Sequence, residues 1–140
     1  MPVYYNYSVV GFEFENEESI TSWIREVIGK ENKKLGEIVL IIVSDEEILR
    51  INRLHLNHNY FTDVITFPDN RKNRISGDIF ISIDTVKKNA NDLKLPFMYE
   101  LLRVIIHGVL HLLGYADLSD SEKNIMRKLE DKYLILYPMF

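Results

Sequence analysis

There is no cysteine among the 140 residues, so the chain can form neither disulfides nor a thiolate metal site, which fits a reducing compartment. Long apolar runs are missing too: the longest, Ile38 to Val43, is far too short to span a bilayer. The opening residues Met1-Pro2-Val3-Tyr4-Tyr5 lack the basic start and apolar stretch of a signal peptide. The expectation is a cytoplasmic protein with no membrane partner. Positive charge is in short supply, with 17 Lys and Arg against 21 Asp and Glu and a formal net charge of −4. That balance argues against a general, charge-driven nucleic-acid binder. It leaves room for a local patch, and Arg71-Lys72-Asn73-Arg74 is one, within what reads as a solvated loop. Repeats, low-complexity tracts and linkers rich in Pro, Gly or Ser are absent. The simplest organisation is one domain over residues 1–140, long enough to bury a core without staples.

Periodicity supplies the elements. Val10, Phe12 and Phe14 alternate with Gly11, Glu13 and Glu15 and predict a first strand. Ile20, Trp23, Ile24, Val27 and Ile28 recur at helical spacing, and Gly36 is expected to end that segment. Glu37 to Val43 reads as a buried central strand. Ser44-Asp45-Glu46-Glu47 has capping-box spacing and opens a second helix with apolar positions at Ile48, Leu49, Ile51 and Leu54. Val64 to Phe67, closed by Pro68, and Gly77 to Ile83 predict two strands paired as an antiparallel hairpin. Helices follow over Asp84 to Leu93 and Phe97 to Leu113, the second with so little polar face that burial is expected. Ser119 and Glu122 form a further capping box ahead of Ile125, Met126, Leu129 and Tyr133. The strand–helix–strand opening implies a parallel pair. The expected fold class is α+β: a single mixed β-sheet of about four strands packed against about five helices, with a metal site at the C-terminal end of a buried helix.

That site rests on His107, His111 and Asp117. Residues four apart share one helical face, so both imidazoles can point at a single ion. Burying two histidines without a shared task would leave several ring nitrogens in need of separate partners. Gly114 breaks the helix three residues after His111, letting the chain turn back so that Asp117 can supply a third ligand. Two His and one carboxylate leave a fourth position open, the pattern of a catalytic rather than a structural zinc site. His55 and His58 read as surface residues. The spacing also resembles zinc proteases with His-Glu-x-x-His, but the position of their essential general base is Gly108 here.

His107 to Tyr115 matches the signature His-Gly-x-Leu-His-Leu-x-Gly-Tyr-Asp-His at every specified position, and so resembles the YbeY-type endoribonucleases. Thr62-Asp63-Val64-Ile65-Thr66-Phe67-Pro68 is similar to the family's Thr-Asp-Val-Leu-Ser-Phe-Pro. Gly77-Asp78-Ile79 matches its Gly-Asp-Ile, and Glu100-Leu101 precedes the histidine helix as in the family. The resemblance implies a single-strand-specific, metal-dependent endoribonuclease. Its implied role is maturation of the 3′ end of small-subunit ribosomal RNA and ribosome quality control. Zinc is the implied metal, with ribosomal RNA, and ribosomal subunit or assembly proteins, as partners. The histidines carry over as His107 and His111. Two departures stand out: the third histidine of the signature is Asp117, and a family arginine aligns with Leu56, where Arg53 or the 71–74 loop is the nearest substitute cation. Aspartate is a shorter, charged zinc ligand that also makes harder ions such as Mn²⁺ more acceptable. No catalytic base is assigned. Glu100, two turns before His107, reads either as a partner orienting that ring or as a structural ion pair, and Arg103 as a phosphate contact or an ion pair. Asp63 and Asp78 are equally explained by turn or strand-end hydrogen bonds. Two other function classes remain: a metal-stabilised ribosome-assembly or RNA-binding module that does not cut, and a hydrolase of peptides or small molecules.

Overall fold

The computed structural model describes residues 2–56 and 62–138, without the side chain of Leu56. His58, and what replaces the family arginine at Leu56, fall outside that description. The elements are β1 (Val3–Tyr7), α1 (Glu17–Lys30), β2 (Lys34–Val43), α2 (Asp45–Leu56), β3 (Val64–Pro68), β4 (Arg74–Ser82), α3 (Ile83–Leu93), α4 (Phe97–Leu112) and α5 (Asp120–Leu134). The strands form one sheet in the order β1-β2-β4-β3, with β1 and β4 parallel to β2 and β3 antiparallel to β4. The expected mixed sheet, the parallel opening and the hairpin are all present.

β2 shows how the sheet is buried on both sides. Ile38, Leu40 and Ile42 enter the main core with residues of α1, α4 and α5. Val39, Ile41 and Val43, one step out of phase, meet Ile48 and Ile51 of α2 and Ile65 of β3 on the other side. The period of two thus sends successive side chains into two different cores.

The first strand lies earlier than its alternation predicts. It is Val3–Tyr7, and residues 8–15 belong to no strand among the described residues. The aromatic residues of that segment pack with one another instead of lining a ladder. Phe12 and Phe14 meet edge to face at 5.2 Å, Phe14 meets Tyr5 at 5.8 Å, and Phe12 meets Phe97 at 5.9 Å. Val10, which the strand reading would bury, is fully exposed. Alternation here records a folded-back aromatic cluster.

α4 is the central helix. Ten of its residues are buried, and it packs against β3, β4, α3 and α5. Gly108 is what allows the approach to the sheet: a Cβ there would stand 2.8 Å from Cγ2 of the fully buried Ile79. At the C-terminal end, Asn70 of the β3–β4 connection donates its amide to the Leu112 carbonyl at 2.8 Å, satisfying one of the helix's orphan acceptors. The chain then reverses at Gly114, whose φ of +105° suits glycine. The Ser119–Glu122 capping box starts α5 with both reciprocal bonds. At α2 only half of the predicted box forms: Ser44 accepts from the Glu47 amide at 3.3 Å, while the Glu47 carboxylate turns to Arg50. Among the described residues, no single helix is long and apolar enough to cross a membrane.

Candidate metal centre

His107 and His111 leave the last two turns of α4, and Asp117 returns to them from the connection to α5. The two Nε2 atoms stand 2.9 Å apart, and Oδ2 of Asp117 lies 3.2 Å from that of His107 and 3.5 Å from that of His111. Zinc bonds of about 2.0–2.2 Å place tetrahedral ligand atoms roughly 3.3–3.6 Å apart. The observed triangle is close to that size, with the His–His edge slightly short. The three side chains are between a fifth and a third exposed, so one side of the group is open to solvent.

The opposite ring nitrogens decide which atoms face inward. Nδ1 of His111 lies 2.9 Å from the Tyr115 carbonyl oxygen, which can only accept, so this nitrogen donates. Nδ1 of His107 lies 2.6 Å from the Glu130 carboxylate and donates to it. In the neutral rings both protons therefore point outward, leaving two Nε2 lone pairs and a carboxylate oxygen converging on one point. A proton can join two such atoms, whereas a metal ion bonds all three. The group meets the requirements for holding a metal ion.

Glu130 is the residue sequence reasoning missed. Its side chain is 3% exposed, and it divides its oxygens between His107 and Arg103, the latter at 2.9 Å. A signal for it existed. Met126, Glu130 and Leu134 are spaced four apart on the inward face of α5, so a carboxylate occupies a core position. Arg103 also receives both oxygens of the completely buried Glu100, each at 3.0 Å. The structural ion pair is thus the role observed for Glu100 and Arg103, and Glu130 is the carboxylate that orients His107. Glu100 and Glu130 thus share the single guanidinium of Arg103, while Asp117 faces the two rings.

The electrostatics follow this arrangement. Burial opposes the charged ring of His107, but the hydrogen bond and charge of Glu130, with the charges of Asp63 and Asp117, hold its pKa above the ordinary value. Glu130 is held below the usual carboxylate range, since His107 and Arg103 outweigh its burial. Burial pushes Asp63 up, opposed by His107 and reinforced by Glu100. Asp63 therefore stands within the field of the site, and its carbonyl accepts from the Ser82 amide at 2.9 Å.

The other predicted positions lie elsewhere. Asp78, Arg71 and Arg74 line a cavity of about 580 Å³ with Val39 and Phe67, on the α2 side of the sheet. The basic turn is nevertheless tied to the histidine helix, because Asn70 beside Arg71 holds the Leu112 carbonyl. His55 is an exposed residue of α2 whose ring meets Phe67 at 5.8 Å, as a surface histidine. Arg53 lies exposed on the same helix.

The model of the family described as Endoribonuclease YbeY matches residues 8–137. The chain belongs to that family. It is 47% identical over 133 residues to the endoribonuclease YbeY of Flavobacterium psychrophilum, covering 95% of this chain and 94% of that one. The protein of the same name from Phocaeicola vulgatus is 50% identical over 116 residues, covering 83% and 84% respectively. A solution structure from Thermotoga maritima superposes with a TM-score of 0.68 at 29% identity, covering 94% of this chain and 86% of that one. The match over residues 8–137 includes His107, His111 and Asp117.

Proposed function

We propose that this protein is a metal-dependent endoribonuclease that cleaves single-stranded RNA in ribosomal RNA maturation, at the 3′ end of the small-subunit RNA. The relatives bear the name endoribonuclease, and the observation that carries the reading to this chain is the convergence of Nε2 of His107, Nε2 of His111 and Oδ2 of Asp117. These three residues would hold one ion, and the two-nitrogen, one-oxygen donor set suits zinc. Bound there, the ion supplies Lewis-acid charge stabilisation at a phosphodiester and lowers the pKa of water.

The protein's own residues do the positioning. Glu130 and the Tyr115 carbonyl fix the tautomer and direction of the two rings. His107 and then Arg103 hold the Glu130 carboxyl below its ordinary value against its burial. Gly114 lets the chain bring Asp117 to the open side, where a substrate can approach. Arg71 and Arg74, in the turn that Asn70 tethers to the end of α4, offer a basic surface for a phosphate backbone. Residues 1–140 act as one cytoplasmic domain, with the ribosomal subunit and its assembly proteins as partners.

The test is cleavage of a single-stranded ribosomal RNA fragment by the zinc-loaded protein, with and without chelator, beside His107→Ala and His111→Ala. Cleavage that is lost with chelator and in both variants, together with lost zinc, supports the assignment. RNA binding without cleavage would point instead to a ribosome-assembly module. Full zinc content in His111→Ala would remove that residue from the ligand set.

A further inference from the structure

The connection that carries Asp117 has one anchor far away in the sequence. Glu31 closes the C-terminal end of α1. One of its oxygens accepts from the Tyr115 hydroxyl at 2.5 Å, and the other accepts from the Tyr133 hydroxyl. The first phenol belongs to the ligand-bearing connection and the second to α5. A carboxylate at the negative end of a helix dipole is locally unfavourable. A residue that breaks a local rule is explained by what it does elsewhere.

Tyr115 is held at three points. Its amide donates to the Leu110 carbonyl at 3.0 Å, its carbonyl accepts from Nδ1 of His111 at 2.9 Å, and its hydroxyl donates to Glu31. The first two bonds are local and leave the residue free to pivot with the turn at Gly114. The third ties it to another helix. With the ring fixed, the carbonyl keeps the proton of His111 on Nδ1, and the chain reaches Asp117 two residues later in a set direction. We infer that Glu31 is a positioning residue of the metal centre, acting through Tyr115 on both His111 and Asp117. This rests on the assignment of His107, His111 and Asp117 as metal ligands.

Zinc affinity, measured by competition with a chromophoric chelator, tests the inference in the full-length protein, Glu31→Ala, Tyr115→Phe, their double variant and Tyr133→Phe. Each is measured at a temperature where circular dichroism shows it folded. A nitrogen-resolved imidazole spectrum of the metal-free proteins reports the His111 tautomer, a readout that does not depend on activity. Glu31→Ala and Tyr115→Phe are expected to weaken zinc binding about tenfold or more and to populate the other His111 tautomer. The double variant is expected to be no weaker than the worse single one, because both remove the same bond. Tyr133→Phe should lower the melting temperature with a smaller loss of affinity. If Glu31→Ala does not fold, Tyr115→Phe decides, since it removes a single oxygen atom. Parental affinity and tautomer in these variants would overturn the inference while leaving the ligand assignment standing. Equal losses in Tyr133→Phe and Tyr115→Phe would also overturn it, reducing Glu31 to a staple between helices. A parent protein that takes up no zinc would overturn the ligand assignment, and this inference with it.

Discussion

Replacing Glu130 separates the orientation of a ligand from its identity. Glu130→Ala leaves His107, His111 and Asp117 in place but removes the acceptor 2.6 Å from Nδ1 of His107 and the oxygen 2.9 Å from Arg103. Arg103 retains both bonds to Glu100, so the guanidinium is not left unpaired. The loss is then two charge-assisted bonds, worth about 3–6 kcal/mol of folding stability for a site this buried. The His107 ring, freed at Nδ1, can rotate and change tautomer. Loss of such an outer partner commonly costs 10–100-fold in metal affinity, or about 1.4–2.7 kcal/mol. Glu130→Gln should fall between, because its carbonyl can serve only one of the two donors.

A chelator competition on the folded proteins measures the affinity, and thermal melts of the metal-stripped proteins measure the stability. The stability difference should carry a pH signature. His107 has a raised folded pKa, so its contribution is complete below its unfolded value of 6.5 and is lost as pH rises through the folded value. Glu130 has a lowered folded pKa, so its contribution is complete above its unfolded value of 4.5 and is lost as pH falls through the folded value. The margin of the parent over Glu130→Ala should therefore be greatest between those two values and shrink on either side. A folded Glu130→Ala protein with parental zinc affinity, or a margin that does not shrink above and below this window, would refute the reasoning.

Three further substitutions probe different links. Gly108→Ala gains up to about 1 kcal/mol of helix propensity, but its Cβ would lie 2.8 Å from an Ile79 that has nowhere to move. Overpacking of this kind costs about 1–3 kcal/mol, so a lower melting temperature is expected, and a higher one would show that α4 can lift from the sheet. Arg71→Ala with Arg74→Ala should flatten the salt dependence of RNA binding by about 1.4 in log–log slope, at roughly 0.7 per phosphate contact on a single strand; an unchanged slope would place the RNA elsewhere. Asp117→Ala should lose zinc, whereas Asp117→His restores the family's residue and should recover binding with a reduced preference for Mn²⁺ over Zn²⁺. Titration of each variant with both ions checks this, and undiminished zinc binding by Asp117→Ala would remove the third ligand.

The legible parts of this chain were those where one local pattern had one physical cause. The buried face of α4, the alternation of β2 and the Ser119 cap each follow from spacing alone, and so did the histidine pair and the glycine that turns the chain toward Asp117. The first strand was misplaced because alternation reports where apolar side chains go, not whether the backbone between them forms a ladder. At Phe12 and Phe14 they go to each other and to Tyr5 and Phe97. Gly108 was readable as a missing base but not as a packing requirement, since Ile79 reaches it only through the sheet. Glu130 and Glu31 were hidden for a related reason: each serves the centre across 23 and 84 residues of sequence, to His107 and Tyr115. Ligands can share a helix because a shared face sets their spacing. The support of His107 comes from another helix, while His111 uses the Tyr115 carbonyl just past the Gly114 turn, which Glu31 at the end of α1 anchors in its turn. The same division explains the charge of the site. Helical spacing sets the histidine pair, while the buried carboxylates of Glu100 and Glu130 are tolerable because Arg103 pairs with both and His107 with Glu130.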